Sequence, residues 1–219
     1  MSDMDLLLWA RGPGLQIALA IFIGGMLIKL FEIFSLGRSK DLSVPRPGNA
    51  AAGWKTIVIR SIPKPVLMKR TLPTYIMGYT FHIGFFVALL FLAPHIQLFR
   101  RTVGLGWPAL PGQLVDGISL VAILALLLML PYRLYHPVKR FLSTFDDHAS
   151  WALALAPLLS GYLAFHHLLL PYTLMLAVHI LSVELLLVFM PFTKLVHSMT
   201  LFISRWYNGD ALGHKGARL

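Results

Sequence analysis

Five stretches of apolar residues, each about as long as a bilayer is thick, leave this chain few ways to fold. They lie at roughly 13–36, 75–98, 114–132, 149–167 and 171–203. A helix of about 20 apolar residues crosses the hydrocarbon core. The expected fold is therefore all-α: an integral membrane bundle of five transmembrane helices, one domain over 1–219, with little chain left for a separate soluble domain. Hydrophobic residues make up 57% of the chain, against about 45–50% in an ordinary soluble domain. The last stretch is long for one span and is expected to emerge into the cytoplasm. Met1-Ser2-Asp3-Met4-Asp5 is acidic rather than basic and the apolar run behind it is long, so the first stretch reads as a true span and not a cleaved leader.

Charge gives an orientation. The formal net charge is +10, but it is not spread evenly. The 37–73 connection holds Arg38, Lys40, Arg46, Lys55, Arg60, Lys64, Lys69 and Arg70. The 133–148 connection holds Arg133, Lys139 and Arg140, and the C-terminal end holds Lys194, Arg205, Lys215 and Arg218. The opposite side holds Arg11, Arg100 and Arg101. Basic loops stay in the cytoplasm, which places the N-terminus outside and the C-terminus in the cytoplasm, as an odd number of spans requires. The positive charge is read as topology and lipid contact, with no nucleic-acid role. The 37–73 connection is broken by Pro45, Pro47, Pro63, Pro65 and Pro73 and loosened by Gly48 and Gly53. It reads as a long loop, touching headgroups or docking a cytoplasmic subunit. Trp107 in the opposite loop reads as an interfacial anchor.

Histidines carry the chemistry. His82 and His95 lie in the second stretch, His179 and His197 in the fifth, and His167 just before it. Imidazole is costly in hydrocarbon unless something binds it. If the fifth stretch is one helix, His179 and His197 share a face roughly 27 Å apart. His82 and His197 then fall at matching depths near the cytoplasmic side, as the two axial ligands of a haem b iron would. His179 lies nearer the outer side, and His95, behind Pro94, is the nearest candidate to share an outer haem with it. His166 and His167 are the alternatives; His136, His148 and His214 read as solvated. A histidine of this kind can also simply join two helices by a hydrogen bond. The chain has no cysteine, so it holds no iron–sulfur cluster or thiolate zinc of its own. Any electrons it moves travel through haem, quinone or a partner's clusters.

Phe81-His82-Ile83-Gly84 and Pro191-Phe192-Thr193-Lys194-Leu195-Val196-His197 resemble motifs of the gamma (cytochrome b) subunit of respiratory nitrate reductases. His179 stands at that family's interval before the second motif. Arg133-Leu134-Tyr135-His136-Pro137-Val138, followed by Asp147, is similar too. The resemblance covers roughly 74–207. It implies a five-span membrane subunit in the cytoplasmic (inner) membrane of a bacterium or archaeon. Such a subunit oxidises quinol and passes electrons through two haems b to a cytoplasmic iron–sulfur subunit, and through it to a catalytic subunit. It also implies that His82 and His197 ligate the inner haem and His179 the outer one. One departure stands out: the family's second outer ligand falls at Leu92. Either His95 substitutes for it or the outer haem is absent.

Glu184 in the fifth stretch is a candidate proton carrier or a protonated interhelical residue. Lys29 and Glu32 are expected to pair. Arg100 and Arg101 on the outer side, and Arg133, Lys139 and Arg140 on the inner side, face haem propionates or headgroups. Two rival readings remain, a haem-free anchor or scaffold of a redox complex and a small-solute or metal transporter. An anchor serving a hydrogenase or formate dehydrogenase would share the haem chemistry and differ in partner.

Overall fold

The computed structural model describes residues 2–37 and 50–216, which are all-helical, with no strand among them. In chain order the helices are α1 (Asp3–Trp9), α2 (Leu15–Ser35), α3 (Ala50–Ile59), α4 (Pro65–Phe91), α5 (Ala93–Val103), α6 (Gly112–Tyr135), α7 (Pro137–Leu142), α8 (Phe145–Phe165), α9 (Tyr172–Phe189) and α10 (His197–His214). Five stretches of helix are long and apolar enough to cross a membrane: Asp3–Ser35, Pro65–Phe91, Gly112–Tyr135, Phe145–Phe165 and Tyr172–Phe192. Their number matches the five expected, with different bounds; the fifth ends at Phe192 rather than near 203. Arg38, Lys40, Pro45, Arg46, Pro47, Gly48 and Arg218 lie outside the described residues.

The chain divides into two compact units, Met1–Ile21 with Pro73–Val188, and Phe22–Leu72 with Phe189–Leu219. In the first unit, Ser2 and Asp5 cap α1 reciprocally, backbone to side chain, at 2.8 and 3.2 Å. This capping box starts the helix well before residue 13, so the exposed acidic flank is itself helical. A π-helical turn at Ala10–Gly14 contains Pro13, whose missing N–H cannot close the ordinary hydrogen-bond ladder.

The core of this unit lies where α6 meets α8. Ala122, Ile123, Leu126, Leu155 and Leu158 are buried there, with Phe81 and Phe85 of α4 packed on them. Gly84 lets α4 approach: a Cβ at that position would stand 3.0 Å from the Ile118 carbonyl oxygen. Facing away from this core, Ile83 is 60% exposed and Leu128 61%. Helices apolar on both faces are what a membrane span presents to lipid. At the start of α8, Asp147 accepts from the Thr144 amide at 2.9 Å and pairs with Arg133 at 3.0 Å. Arg133 and Asp147, two of the residues that carry the family resemblance, thus clamp the end of α6 to the start of α8.

Two expected continuous helices are broken. The second span stops at Phe91: Leu92 is extended (φ −78°, ψ 130°) and Pro94 stands in the first turn of the new helix α5, a position that proline tolerates. Pro94 therefore accompanies a full break, and His95 does not share a helix with His82. The fifth stretch breaks as well. After α9 come short 3-10 turns at Met190–Phe192 and Lys194–Val196, around an extended Thr193, before α10. Pro191 lacks the N–H that would continue the ladder. His179 and His197 therefore lie on different helices, and the same-face arithmetic does not apply to them.

The second unit contains a helix, α3, where the prolines and glycines of 37–73 predict loop. α3 packs along α10 through small residues. A Cβ on Gly209 would meet Thr56 and stand 2.6 Å from the Ala52 carbonyl oxygen, and one on Gly213 would stand 2.8 Å from the Ala52 Cβ. Gly53 makes room for the Trp206 indole, and Arg205 donates to the Ser61 hydroxyl at 2.7 Å. Gly25 of α2 likewise receives Pro191, and Lys29 pairs with Glu32 at 2.9 Å as expected.

Candidate functional site

The break after α4 builds one half of the site. A helix end leaves its last four carbonyls without intrahelical partners. Here three of them are answered from beyond the break. The Ala88 carbonyl accepts from His95 Nδ1 at 2.8 Å, Leu90 from Trp107 Nε1 at 2.6 Å, and Phe91 from the Leu110 amide at 3.1 Å. Trp107 is thus a cap on α4, beyond the anchor role expected of it. A carbonyl can only accept, so His95 donates from Nδ1, which in the neutral ring leaves the lone pair on Nε2.

The other half comes from α8 and α9. His179 Nδ1 lies 3.1 Å from the Pro157 carbonyl and 3.3 Å from the Ser160 hydroxyl. Ser160 in turn lies 2.9 Å from Ser182, whose hydroxyl donates to the His179 carbonyl at 2.6 Å. Gly161 allows this closeness: a Cβ there would stand 2.9 Å from His179 Cε1. Again the carbonyl partner accepts from Nδ1, which in the neutral ring leaves the lone pair on Nε2.

The two half-buried rings meet. Their centres are 6.1 Å apart and their planes 23° from parallel. A metal held between two ring nitrogens keeps the ring centres about 6 Å apart, with each nitrogen about 2 Å from the metal and about 1 Å from its ring centre. Two imidazoles are the donor chemistry a haem iron would take, but imidazole lone pairs lie in the ring plane, so these stacked rings would have to turn edge-on to share one metal. Among the described residues no cluster of three or more His, Asp or Glu has metal-binding geometry.

His82 and His197 show the same local device. His82 Nδ1 donates to the Gly78 carbonyl at 2.6 Å, and His197 Nδ1 to the Lys194 carbonyl at 2.7 Å. His82 belongs to the first unit and His197 to the second. In His82, His95, His179 and His197 alike, Nδ1 donates to a backbone carbonyl, a partner that ligating imidazoles commonly have.

The other candidates take different roles. His166 Nε2 donates to Asp116 at 2.8 Å, and His167 lies against the Tyr172 ring at 4.7 Å. His95 is the histidine whose ring stacks on His179 among the described contacts. His136, read as solvated, has its Nδ1 buried without a hydrogen-bond partner among the described residues. Arg133 is committed to Asp147, and Lys139 lies 5.3 Å from the Tyr132 ring centre. Burial, and then repulsion from Arg133, lowers the Lys139 pKa. Glu184 is 7% exposed and its Oε1 has no hydrogen-bond partner among the described residues; it lies against Gly14 in the π-helical turn.

No protein-family model matches the chain, and no solved structure matches it. A bacterial relative from Nitratidesulfovibrio vulgaris strain Hildenborough, described simply as "Protein", is 30% identical over 203 residues, covering 89% of this chain and 88% of its own length. At that identity and coverage, the chain belongs to the same family as the Nitratidesulfovibrio protein.

Proposed function

We propose that this protein is a membrane haem b electron-transfer subunit linking the quinone/quinol pool to a cytoplasmic iron–sulfur partner. The observation that carries the reading is the His95–His179 pair, with near-parallel rings 6.1 Å apart. His95 takes the role that the resemblance would give to residue 92, where this chain has leucine. The break at Leu92 makes this possible, because a new helix no longer ties His95 to the rotation of α4. Bound haem supplies one-electron chemistry. The chain's own residues supply ligation, orientation and exclusion of water. His82 and His197 are assigned to the inner haem by the family resemblance alone, since the depth argument needed an unbroken fifth helix and that helix ends before His197. With no cysteine of its own, the chain depends on a partner for any cluster that receives the electrons, and through it on a catalytic subunit. The distribution of basic residues supports an N-terminus outside and a C-terminus in the cytoplasm. A bacterial relative supports a bacterial cytoplasmic membrane.

A pyridine haemochrome assay on purified, detergent-solubilised protein made with ample haem tests this. The expected value is near two haems b per chain, falling by about one in His95→Ala and in His179→Ala, since each removes one axial ligand. A value that neither substitution lowers would defeat the outer pair. Folded protein without haem would defeat the cytochrome reading and favour the scaffold.

A further inference from the structure

α3 has one face against α10, formed by Ala52, Gly53 and Thr56. At 100° per residue, Trp54 and Val58 point almost directly opposite. They are 66% and 62% exposed, and Ile62, just beyond the helix, is 62% exposed. A helix bathed in water would carry polar residues there. Lys55, Arg60, Lys64, Lys69 and Arg70 flank this strip, and no acidic residue occurs from 50 to 72. The chain then enters α4, a membrane span, at Pro65. Exposed tryptophan and aliphatic residues, one sign of charge and an adjoining span together describe a helix lying in the membrane–water boundary.

We propose that the α10-distal face of α3 binds anionic phospholipid headgroups. Trp54 and Val58 enter the boundary between headgroups and acyl chains, and Lys55, Arg60 and Lys64 recruit phosphate-bearing anionic lipid around them. The apolar strip favours lipid over the acidic face of a protein partner, because a purely electrostatic dock has no use for Trp54 and Val58 at its centre. The α3–α10 packing holds the strip outward, so the surface is preformed rather than assembled on contact.

The absence of cysteine permits a direct test in the full-length chain. Val58→Cys, labelled with an environment-sensitive fluorophore, is reconstituted into vesicles of phosphatidylcholine doped with either brominated phosphatidylglycerol or brominated phosphatidylcholine. Bromine quenches the label only on contact. The expected result is quenching by both lipids, with phosphatidylglycerol more effective by at least about threefold at equal mole fraction, through local enrichment. Adding Lys55→Gln, Arg60→Gln and Lys64→Gln should erase that preference and leave quenching itself in place. Equal quenching by the two lipids in the parent protein overturns the headgroup site. No quenching by either overturns it too, and assigns the face to water or to a protein partner.

Discussion

At the scale of single residues, the site turns on which nitrogen of each imidazole holds the proton. Four backbone carbonyls make that choice, at Gly78, Ala88, Pro157 and Lys194. Gly161 does comparable work by omission, since any side chain there collides with the His179 ring. Gly161→Val should therefore turn His179 out of line and reduce haem content by about one per chain, an effect expected of groups that orient a ligand. Gly117→Val is the control, because a Cβ at Gly117 meets nothing within 4 Å. Equal haem content in the two variants would show that Gly161 does not shape the site. The histidines were legible in sequence because imidazole in an apolar stretch is conspicuous. Gly161, Ser160 and Ser182 were not, because small residues in a membrane helix have many uses and reveal this one only when a neighbouring helix is in place.

At the scale of elements, the sequence located the spans but missed their interruptions. Apolar runs 75–98 and 171–203 continue straight through Leu92 and Pro191, and hydropathy does not register the loss of a single N–H. The break at Leu92 puts His95 on a new helix, where its ring stacks on His179; the break at Pro191 puts His197 on a different helix from His179. α3 was missed for a different reason. It is short, surrounded by prolines and basic residues, and depends on a partner remote in sequence. Its partner's Gly209 and Gly213, four residues apart, were the available signal, since small residues at this spacing mark close helix contacts. That contact can be tested by size. A methyl on Gly209 meets the Ala52 backbone carbonyl, which cannot yield without moving α3. A methyl on Gly53 meets only the Trp206 side chain. Gly209→Ala should therefore cost about 1–3 kcal/mol, as overpacking does, and lower the Tm in detergent by several degrees. Gly53→Ala should cost less. The reverse order would mean that α3 and α10 pack more loosely than their glycines imply.

At the scale of the whole molecule, orientation rests on charge alone, and charge makes a claim that can be separated from haem. Of the basic residues outside the first span, fifteen belong to the ends and loops assigned to the cytoplasm. Some of them lie on α3 or in the first turns of α4 rather than in loop, which leaves the count unchanged because the rule counts residues near span ends. Leu105 and Phe141 flank α6 and are 65% and 88% exposed. If α6 spans the membrane, single cysteines at these positions must lie on opposite sides. A membrane-impermeant maleimide added to intact cells stripped of their outer barrier should label Leu105→Cys, and should label Phe141→Cys only after the membrane is opened. No native thiol competes for the reagent. The opposite pattern would invert the protein, placing the His95–His179 pair toward the cytoplasm and any inner haem at the outer face. Labelling of both from one side would mean that α6 does not cross at all, which would defeat the five-span topology whatever the haem content.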